Sequence, residues 1–381
     1  MEQVYEIDKI TKQLLSVIAI IITIGLIMIY SSSFILSTEI YQHSYHYIAR
    51  QLIYLMMGLG IAVIVAKTKY SFWYKYGYMI NIAATMIVAL TIVKGLGNNV
   101  KGASRWLSVG GFSIQPGELV KFTIILSALF FFEQWHAMDP KQRAKHGFTL
   151  LLPVALLIKQ PDFGSFSICF IVVSFVGFMS SFPRKYFYIT LLVGSISGII
   201  ILFSQAYRVK RMLTYLDPWK NPQGSGFQII QSYMAFANGS FLGKGLGNSN
   251  EKLFYLPEAH NDFIFSVVGE ELGFVGVFLI ITLFVAMIYF GFKLVLKLQN
   301  RVAVILGASI IFVLGIQALL NMGVVLGLLP TKGLNLPFIS YGGSSLICNF
   351  FGLGLLMSAV RGCREELILK AKKEESWQTA Q

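Results

Sequence analysis

The run LLSVIAIIITIGLIMIYSSSFI, residues 14–35, decides the class of fold, because it is uncharged throughout and exceeds the roughly 20 apolar residues that cross a bilayer. Similar runs recur along the whole chain, which is 55% hydrophobic and only 13% charged, against about 25% charged residues in soluble domains. The run is too long for a signal-peptide core and lacks a small-residue cleavage pattern, so it predicts a retained helix. We therefore expect an all-α, polytopic membrane protein.

Segments of suitable length and hydropathy predict about ten transmembrane helices. More than half of the lysines and arginines then fall on the side of the two termini, which predicts cytoplasmic termini. The short segment 148–158 has an alternative interpretation as half of a broken helix. We expect one membrane domain, 1–381, with a long external loop over 205–260 before the eighth helix and a cytoplasmic tail over 361–381. The predicted spans are 14–35, 48–66, 77–93, 117–135, 148–158, 164–181, 187–204, 263–290, 302–323 and 345–360.

The net charge of +13 is explained by this topology, because cytoplasmic lysines and arginines anchor helices at anionic lipid head groups. The sequence resembles no nucleic-acid-binding module, so no nucleic-acid partner is expected. The three cysteines are scattered and form no metal or disulfide spacing.

Ionisable side chains at a membrane boundary are costly and mark function by default, and polar clusters of this kind lie on the predicted external side. Pro116 predicts the start of the fourth helix, which puts Glu118 and Lys121 on one helical face, as a local ion pair or as part of a site. Trp106, beside Arg105, is either an interface anchor or a site residue. Asp162, in the polar break 159–164, either caps a turn or lines a polar cavity.

Two further segments indicate a cavity on the same side. The loop 205–260 is far longer than an ordinary connection, which favours a lid or binding loop built from turns and short helices. The segment 329–345 holds two prolines and three glycines, which forbid a regular helix. Non-helical backbone at membrane depth is tolerated only when it is buried in protein or lines a wet cavity.

Asp262 stands where the long loop meets the apolar run that follows. On a regular helix begun there, it shares a face within about 40° with small residues at positions 266, 269, 273 and 276, a pattern typical of close helix packing. Asp262 is either a helix cap or a functional carboxylate beside Glu258 and His260. On the same geometry Glu270 and Glu271 point about 80° and 180° away, so no shared carboxylate site is expected.

The segment LPEAHNDFIF, residues 256–265, followed by GEELG at 269–273, resembles the signature of the SEDS family, the FtsW, RodA and SpoVE group of bacterial cell-wall polymerases. Gly117 and Asn261 depart from it, standing where the family usually has Ser and Thr. The Pro-Glu-Ala-His form and Thr331-Lys332-Gly333-Leu334 are more similar to the FtsW and SpoVE branch. Other matching motifs are Arg105-Trp106, Gln115-Pro116-x-Glu118-x-x-Lys121, Gly243-x-Gly245-x-Gly247 and Pro337–Ser345.

The resemblance implies a peptidoglycan glycosyltransferase that polymerises lipid II at the outer face of the bacterial cytoplasmic membrane, in cell division or sporulation. It implies a class B penicillin-binding protein as partner, together with other division or sporulation proteins, and places the family's essential aspartate on Asp262. A donor linked to polyprenyl diphosphate is already activated, so inversion needs one base for the acceptor hydroxyl, a role that suits Asp262.

The departing diphosphate needs positive charge held in place. Arg105, Lys121, Lys210 and Lys332 are the candidates, with a divalent cation, Mg or Mn, as the alternative; no cofactor is otherwise expected. We expect Lys121 to pair with Asp262 in the resting state while Glu118 holds Lys121. The predicted substrate-binding residues are Arg105, Trp106, Glu118, Lys121, Lys210, His260 and Lys332.

Two other classes of function are compatible with the sequence. A lipid II flippase would use broken helices and charges at mid-membrane, whereas the charged clusters found here lie on one side. A scaffold that only organises division or sporulation enzymes would not require a cavity lined by arginine, lysine and aspartate.

Overall fold

The computed structural model describes residues 2–93, 97–100, 103–109, 112–250 and 259–379. Within these ranges the chain is mainly helical, with one small sheet and a 3-10 turn at Pro218–Lys220. The helices are α1 (Glu2–Tyr41), α2 (His46–Lys67), α3 (Tyr70–Ile92), α4 (Pro116–Glu133), α5 (Pro140–Lys159), α6 (Phe163–Met179), α7 (Arg184–Phe203), α8 (Ala206–Leu216), α9 (Phe227–Gly239), α10 (Ile264–Val295), α11 (Arg301–Val325) and α12 (Gly343–Thr379). The strands are β1 (Gly97–Val100), β2 (Ala103–Val109) and β3 (Phe112–Ile114).

Every predicted span overlaps a helix, and the expected all-α, polytopic membrane fold is confirmed. Among the described residues, seven helices are long and apolar enough to cross a membrane: α1, α2, α3, α7, α10, α11 and α12. Helix α6 is apolar but shorter, and α4 and α5 carry charged residues near their starts. The figure of about ten crossings therefore stays a prediction.

Helix α5 corrects one prediction. The helix expected over 148–158 begins earlier, at Pro140, and continues to Lys159, and the alternative of a broken helix here stays a prediction. The Asp139 carboxylate accepts a hydrogen bond from the Gln142 N–H at 2.7 Å, and the Gln142 side chain accepts one from the Asp139 N–H in return. This reciprocal capping fixes the start of the helix. At the other end of the chain, the expected tail over 361–381 continues α12 as helix as far as Thr379.

Three short strands lie between α3 and α4, where no strand was predicted. They form an antiparallel sheet in the order β1-β2-β3, with Leu107 of β2 opposite Ile114 of β3. Successive side chains of a strand point to opposite faces of the sheet. The pairing of β1 with β2 shifts register at Arg105, which lies between the Asn98–Trp106 and Asn99–Ser104 pairs, so the regular alternation is interrupted at Arg105 and Trp106.

The non-helical backbone predicted between the last two helices is confirmed over residues 326–342. This 326–342 segment reaches deep into the helical bundle, because a Cβ added to Gly25, in the middle of α1, would lie 2.6 Å from the Phe338 carbonyl oxygen. Phe338 and Ile339 are buried. The segment is thus packed inside protein where it passes α1, the condition under which irregular backbone is stable at membrane depth.

Candidate active site

Asp262 lies in a turn, one residue before the position that caps α10. The helix begins at Ile264, and Phe263 occupies the cap position without a side-chain hydrogen bond. The interpretation of Asp262 as the helix cap is therefore wrong. The angles predicted for a regular helix starting at Asp262 also fail at positions 273 and 276, because α10 breaks at Gly273, where φ is 63° and ψ is −162°.

The turn that carries Asp262 is held by the 326–342 segment and by α11. The carbonyl oxygens of three consecutive residues, 260–262, each accept a hydrogen bond. The Tyr341 N–H donates to the first of these carbonyls, that of residue 260, at 3.0 Å. Ser340 Oγ donates to the carbonyl of residue 261 at 2.7 Å, and Asn321 Nδ2 donates to that of Asp262 at 2.8 Å. Asn321 also donates to the Leu334 carbonyl at 2.6 Å, which ties the two segments together. The position of Asp262 is thus set by residues far away in sequence.

The Asp262 carboxylate lies beside Gly333 of the same segment. A Cβ built on Gly333 would be 3.2 Å from Asp262 Oδ2 and would meet no other atom within 4 Å. Gly333 also forms part of the wall of a neighbouring cavity. The carboxylate therefore lies next to one residue of the cavity wall, although Asp262 itself is not among the lining residues.

Four cationic side chains line this cavity: Arg105, Arg208, Arg211 and Lys332. We call it the cationic cavity. The lining also includes one carboxylate, Asp162, so four positive charges less one negative charge leave a net charge of +3. A concave site with one dominant sign of charge concentrates ligands of the opposite sign. The arrangement is suited to a polyanionic group.

Two of the cations share one aromatic ring. The Arg208 guanidinium lies 5.4 Å and the Lys332 ammonium 5.2 Å from the centre of the Phe163 ring. Cation–π attraction of this kind contributes about 0.5–2 kcal/mol for each pair, the larger values applying to desolvated pairs. Phe163 therefore holds two like charges near each other, and burial lowers the pKa of Lys332 below its usual range.

The two remaining cations are held by backbone carbonyls. Arg105 of β2 donates to the carbonyl of Gln160 at 3.5 Å and to that of Pro161, so the small sheet delivers it to the turn between α5 and α6. Arg211 of α8 donates to the Thr331 carbonyl at 3.1 Å. Both contacts satisfy part of each guanidinium and leave further N–H groups available.

Asp162 has both of the roles that the sequence left open. Its carboxylate accepts hydrogen bonds from the Ser165 N–H at 3.2 Å and the Ser165 Oγ at 2.9 Å, and so caps α6. It is buried and lines the cationic cavity. Because α6 starts at the next residue, the same turn places the Phe163 ring against Arg208 and Lys332.

An apolar groove continues from the cationic cavity between α6 and α7. It encloses about 590 Å³ including open space, and it shares Phe163 and Leu202 with the cationic cavity. Gly194 and Gly198 lie along its α7 side. A Cβ on Gly198 would meet nothing within 4 Å, so the absence of a side chain keeps this part of the groove open.

Glu118 and Lys121 form the predicted ion pair on α4, with 2.7 Å between Lys121 Nζ and Glu118 Oε2. The Lys121 side chain is fully buried. The expected resting contact between Lys121 and Asp262 is not formed, since Glu118 is the carboxylate that Lys121 contacts within the described part of the chain. Their spacing of one helical turn favours the local pair.

The other predicted site residues lie outside the lining of the cationic cavity. Lys210 is exposed on α8, because Arg208 and Arg211, three residues apart, share the inner face. Trp106 is half-buried on β2. The His260 ring packs 4.8 Å from the Tyr47 ring and 5.7 Å from the Tyr341 ring, between centroids.

The structure adds Arg208, Arg211 and Phe163 to the candidate site. The helical spacing of Arg208 and Arg211 within 206–216 is the sequence signal that could have identified them in place of Lys210. Glu258 lies outside the described residues. Within the ranges that the structure covers, no three His, Cys, Asp or Glu side chains are grouped as metal ligands, and the divalent cation remains a prediction.

Fold and site together define a polytopic membrane protein with a net-positive cavity beside a carboxylate. The chain belongs to the FtsW, RodA and SpoVE family of cell cycle proteins, whose model matches residues 12–365. The probable peptidoglycan glycosyltransferase FtsW of Geobacter metallireducens is 37% identical over 363 residues, which covers 93% of this chain and 95% of that protein.

Solved structures support the same assignment. A chain from a peptidoglycan synthase complex, described as coordinating polymerization and crosslinking, is 29% identical with a TM-score of 0.72, covering 92% of this chain and 97% of that one. The rod shape determining protein RodA of Thermus thermophilus is 26% identical with a TM-score of 0.67, covering 91% of this chain and 95% of that one.

Proposed function

We propose that this protein is a peptidoglycan glycosyltransferase that polymerises lipid II into β-1,4 glycan strands. The observation that carries the proposal is the joining of three features: a net-positive cavity, a carboxylate next to its wall and an apolar groove leading away from it. A polyprenyl-diphosphate-linked sugar has the matching three parts, namely a diphosphate, a reacting sugar and a long apolar chain. The names of the FtsW relatives support the same activity.

The cationic cavity suits the diphosphate of the donor. Arg208 and Arg211 approach it from α8, Arg105 from β2 and Lys332 from the 326–342 segment. Arginine presents a planar fork of donors that matches phosphate oxygens. As the glycosidic carbon–oxygen bond to the diphosphate breaks, negative charge builds up on the leaving oxygen. Cations fixed in place before reaction stabilise that charge without reorganising.

The apolar groove suits the polyprenyl chain. It begins at Phe163 and Leu202, which also line the cationic cavity, so a ligand filling both would pass from polar to apolar surroundings at these two side chains. Burial of apolar chain contributes about 0.8 kcal/mol per methylene. That contribution holds the donor equally in the ground and transition states, and therefore lowers KM.

Asp262 acts as the general base. It takes the proton from the sugar hydroxyl of the acceptor as that oxygen attacks the anomeric carbon and the diphosphate leaves from the opposite face. A single displacement inverts the configuration, so no enzyme nucleophile is needed. General-base assistance contributes about 10²–10⁴-fold to such a rate.

We further propose that the site faces the outside of the bacterial cytoplasmic membrane, and that the chain works as one membrane domain during cell division or sporulation. The distribution of lysine and arginine favours cytoplasmic termini. A class B penicillin-binding protein, which crosslinks the strands, is the expected partner. The similarity to a chain of a peptidoglycan synthase complex supports such a partnership.

Reconstitution with the cognate transpeptidase and lipid II tests the function. Wild type is expected to form glycan strands, and Asp262→Asn to lose about 10²–10⁴-fold in rate. Asp217→Asn is the matched control, because Asp217 forms only an exposed pair with Lys220 at 3.5 Å. Transport of lipid II without polymer would favour a flippase. If the protein neither transported lipid II nor formed polymer, the remaining candidate function would be that of a scaffold.

A further inference from the structure

Helix α10 contains a built-in break two turns after its start. Gly273 has φ 63° and ψ −162°, a combination that is essentially restricted to glycine. The break divides α10 into a half-helix, 264–272, and a longer portion, 274–295. A helix end leaves carbonyl and N–H groups without intrahelical partners, so the groups on both sides of Gly273 must be satisfied from elsewhere.

The loop after α9 supplies those partners. Four backbone hydrogen bonds join 240–245 to both sides of the break: Lys244 N–H to Glu270 O at 2.9 Å, Gly245 N–H to Glu271 O at 2.9 Å, Phe274 N–H to Ser240 O at 3.0 Å and Val275 N–H to Phe241 O at 3.3 Å. The fit leaves no space for side chains, since a Cβ on Gly243 would lie 2.2 Å from the Glu271 carbonyl oxygen. Loop and break are complementary.

A buried carboxylate reinforces this junction. Glu270 is fully buried, and Lys244 Nζ lies 2.7 Å from its Oε1. The same carboxylate accepts hydrogen bonds from the Asn250 N–H at 3.1 Å and from the Ser249 Oγ. Losing the partners of a buried charge is strongly unfavourable, so Glu270 favours the state in which segment 240–250 is docked. We call this junction, Glu270 with segment 240–250, the latch.

The half-helix connects the latch to Asp262. It is about 13 Å long at 1.5 Å per residue, and Asp262 precedes its first residue by two positions. The Ser266 hydroxyl in its first turn lies 2.6 Å from the Ser232 hydroxyl of α9. Asn321 and Ser340 fix the turn at the other end. The half-helix is therefore held at both ends and beside its first turn.

We propose that Glu270 and Lys244 are positioning residues, which hold the half-helix so that the Asp262 carboxylate stays next to the wall of the cationic cavity. This inference rests on the proposed function of Asp262 as the base. Catalytic geometry is sensitive to such support, since a displacement of about 1 Å costs on the order of 100-fold in rate. Among the described residues, the hydrogen bonds and the ion pair of the latch do not include Gly333 or another residue of the cavity lining, so the latch acts through the half-helix.

Glu270→Gln and Lys244→Met, singly and together in the full chain with its transpeptidase, test the proposal. Each is expected to lower kcat by about 3- to 30-fold while KM for lipid II stays unchanged, because the base and not the donor site is displaced. The double variant is expected to lose no more than the more damaging single variant, as for residues that act as a unit. Glu270→Gln is the milder of the two changes, because it removes the buried negative charge, whereas Lys244→Met leaves that charge in place without its lysine partner.

Lys297→Met and Glu6→Gln form the matched control, because these residues make an exposed lysine–glutamate pair at 2.6 Å on other elements. They are expected to leave kcat unchanged. A latch variant that melts at a lower temperature but keeps the wild-type kcat would overturn the proposal and leave a structural role only. A change confined to KM would overturn it as well.

Amide hydrogen exchange over 264–272 gives a measurement that is independent of activity. The latch variants are expected to exchange faster there, as local opening becomes easier, while the control variants keep the wild-type rate. Unchanged exchange in the latch variants would overturn the inference even if activity fell. If wild type formed no polymer, the proposed function would fail, and the exchange data would still decide whether the latch fixes the half-helix.

Discussion

Gly333→Ala places a methyl group against the Asp262 carboxylate without removing its charge. The new Cβ would lie 3.2 Å from Asp262 Oδ2, and ordinary contacts begin at 3.4 Å, so the oxygen must move by at least the difference of 0.2 Å. Misplacement by about 1 Å costs on the order of 100-fold. On a logarithmic scale, a shift of about 0.2–0.3 Å corresponds to a loss of about threefold in kcat. Gly333→Val, which is bulkier at the same point, is expected to lose about tenfold.

The assay is the rate of glycan formation at saturating lipid II, with thermal midpoints measured on the same preparations. Gly60→Ala is the control, because its Cβ would meet nothing within 4 Å, and it is expected to keep the wild-type kcat. If both variants at Gly333 matched wild type in kcat, Asp262 would not act from this position. A fall in kcat that only tracked a lower thermal midpoint would also contradict the reasoning.

Two further predictions concern the donor site. Gly198→Leu fills open space in the apolar groove and is expected to raise KM for lipid II about tenfold. This increase is equivalent to losing the burial of about two methylenes. The control is Gly60→Leu, also in open space, which should leave KM unchanged. Burial lowers the pKa of Lys332, so this side chain loses its positive charge at a lower pH than an ordinary lysine does. Activity is therefore expected to fall as the pH rises through that lowered pKa. The Lys332→Arg variant stays protonated and should remain active to higher pH. If the pH–activity profiles of wild type and this variant fell identically at alkaline pH, a role for this charge would be contradicted.

The helices were predictable because a lipid environment allows few kinds of backbone structure. A span must be apolar over its length and must satisfy its backbone internally, so composition along the chain is enough to find α1, α10 or α11. The start of α4 at Pro116 was likewise local, since proline suits a first helical position. The sheet over 97–114 lacked such a signal, because its strands are short and are stabilised by pairing with each other.

Sequence alone also identified Asp262, Arg105 and Lys332 as candidates, since ionisable groups beside apolar runs are costly unless they are used. It did not predict which cations meet. Helical phase turns Arg208 and Arg211 inward and Lys210 outward, and Lys121 forms its predicted pair with Glu118 without contacting Asp262.

Only the tertiary structure decided where Asp262 lies. Its carbonyl is held by Asn321 and its carboxylate lies against Gly333, both more than fifty positions along the chain. The break at Gly273 and the loop that fills it are likewise complementary only after folding. Hydrophobic periodicity is a property of neighbouring residues, so it can be found in the sequence. A site is instead assembled by hydrogen bonds and packing between segments that are distant in sequence, and the sequence pattern does not indicate which distant segments will meet.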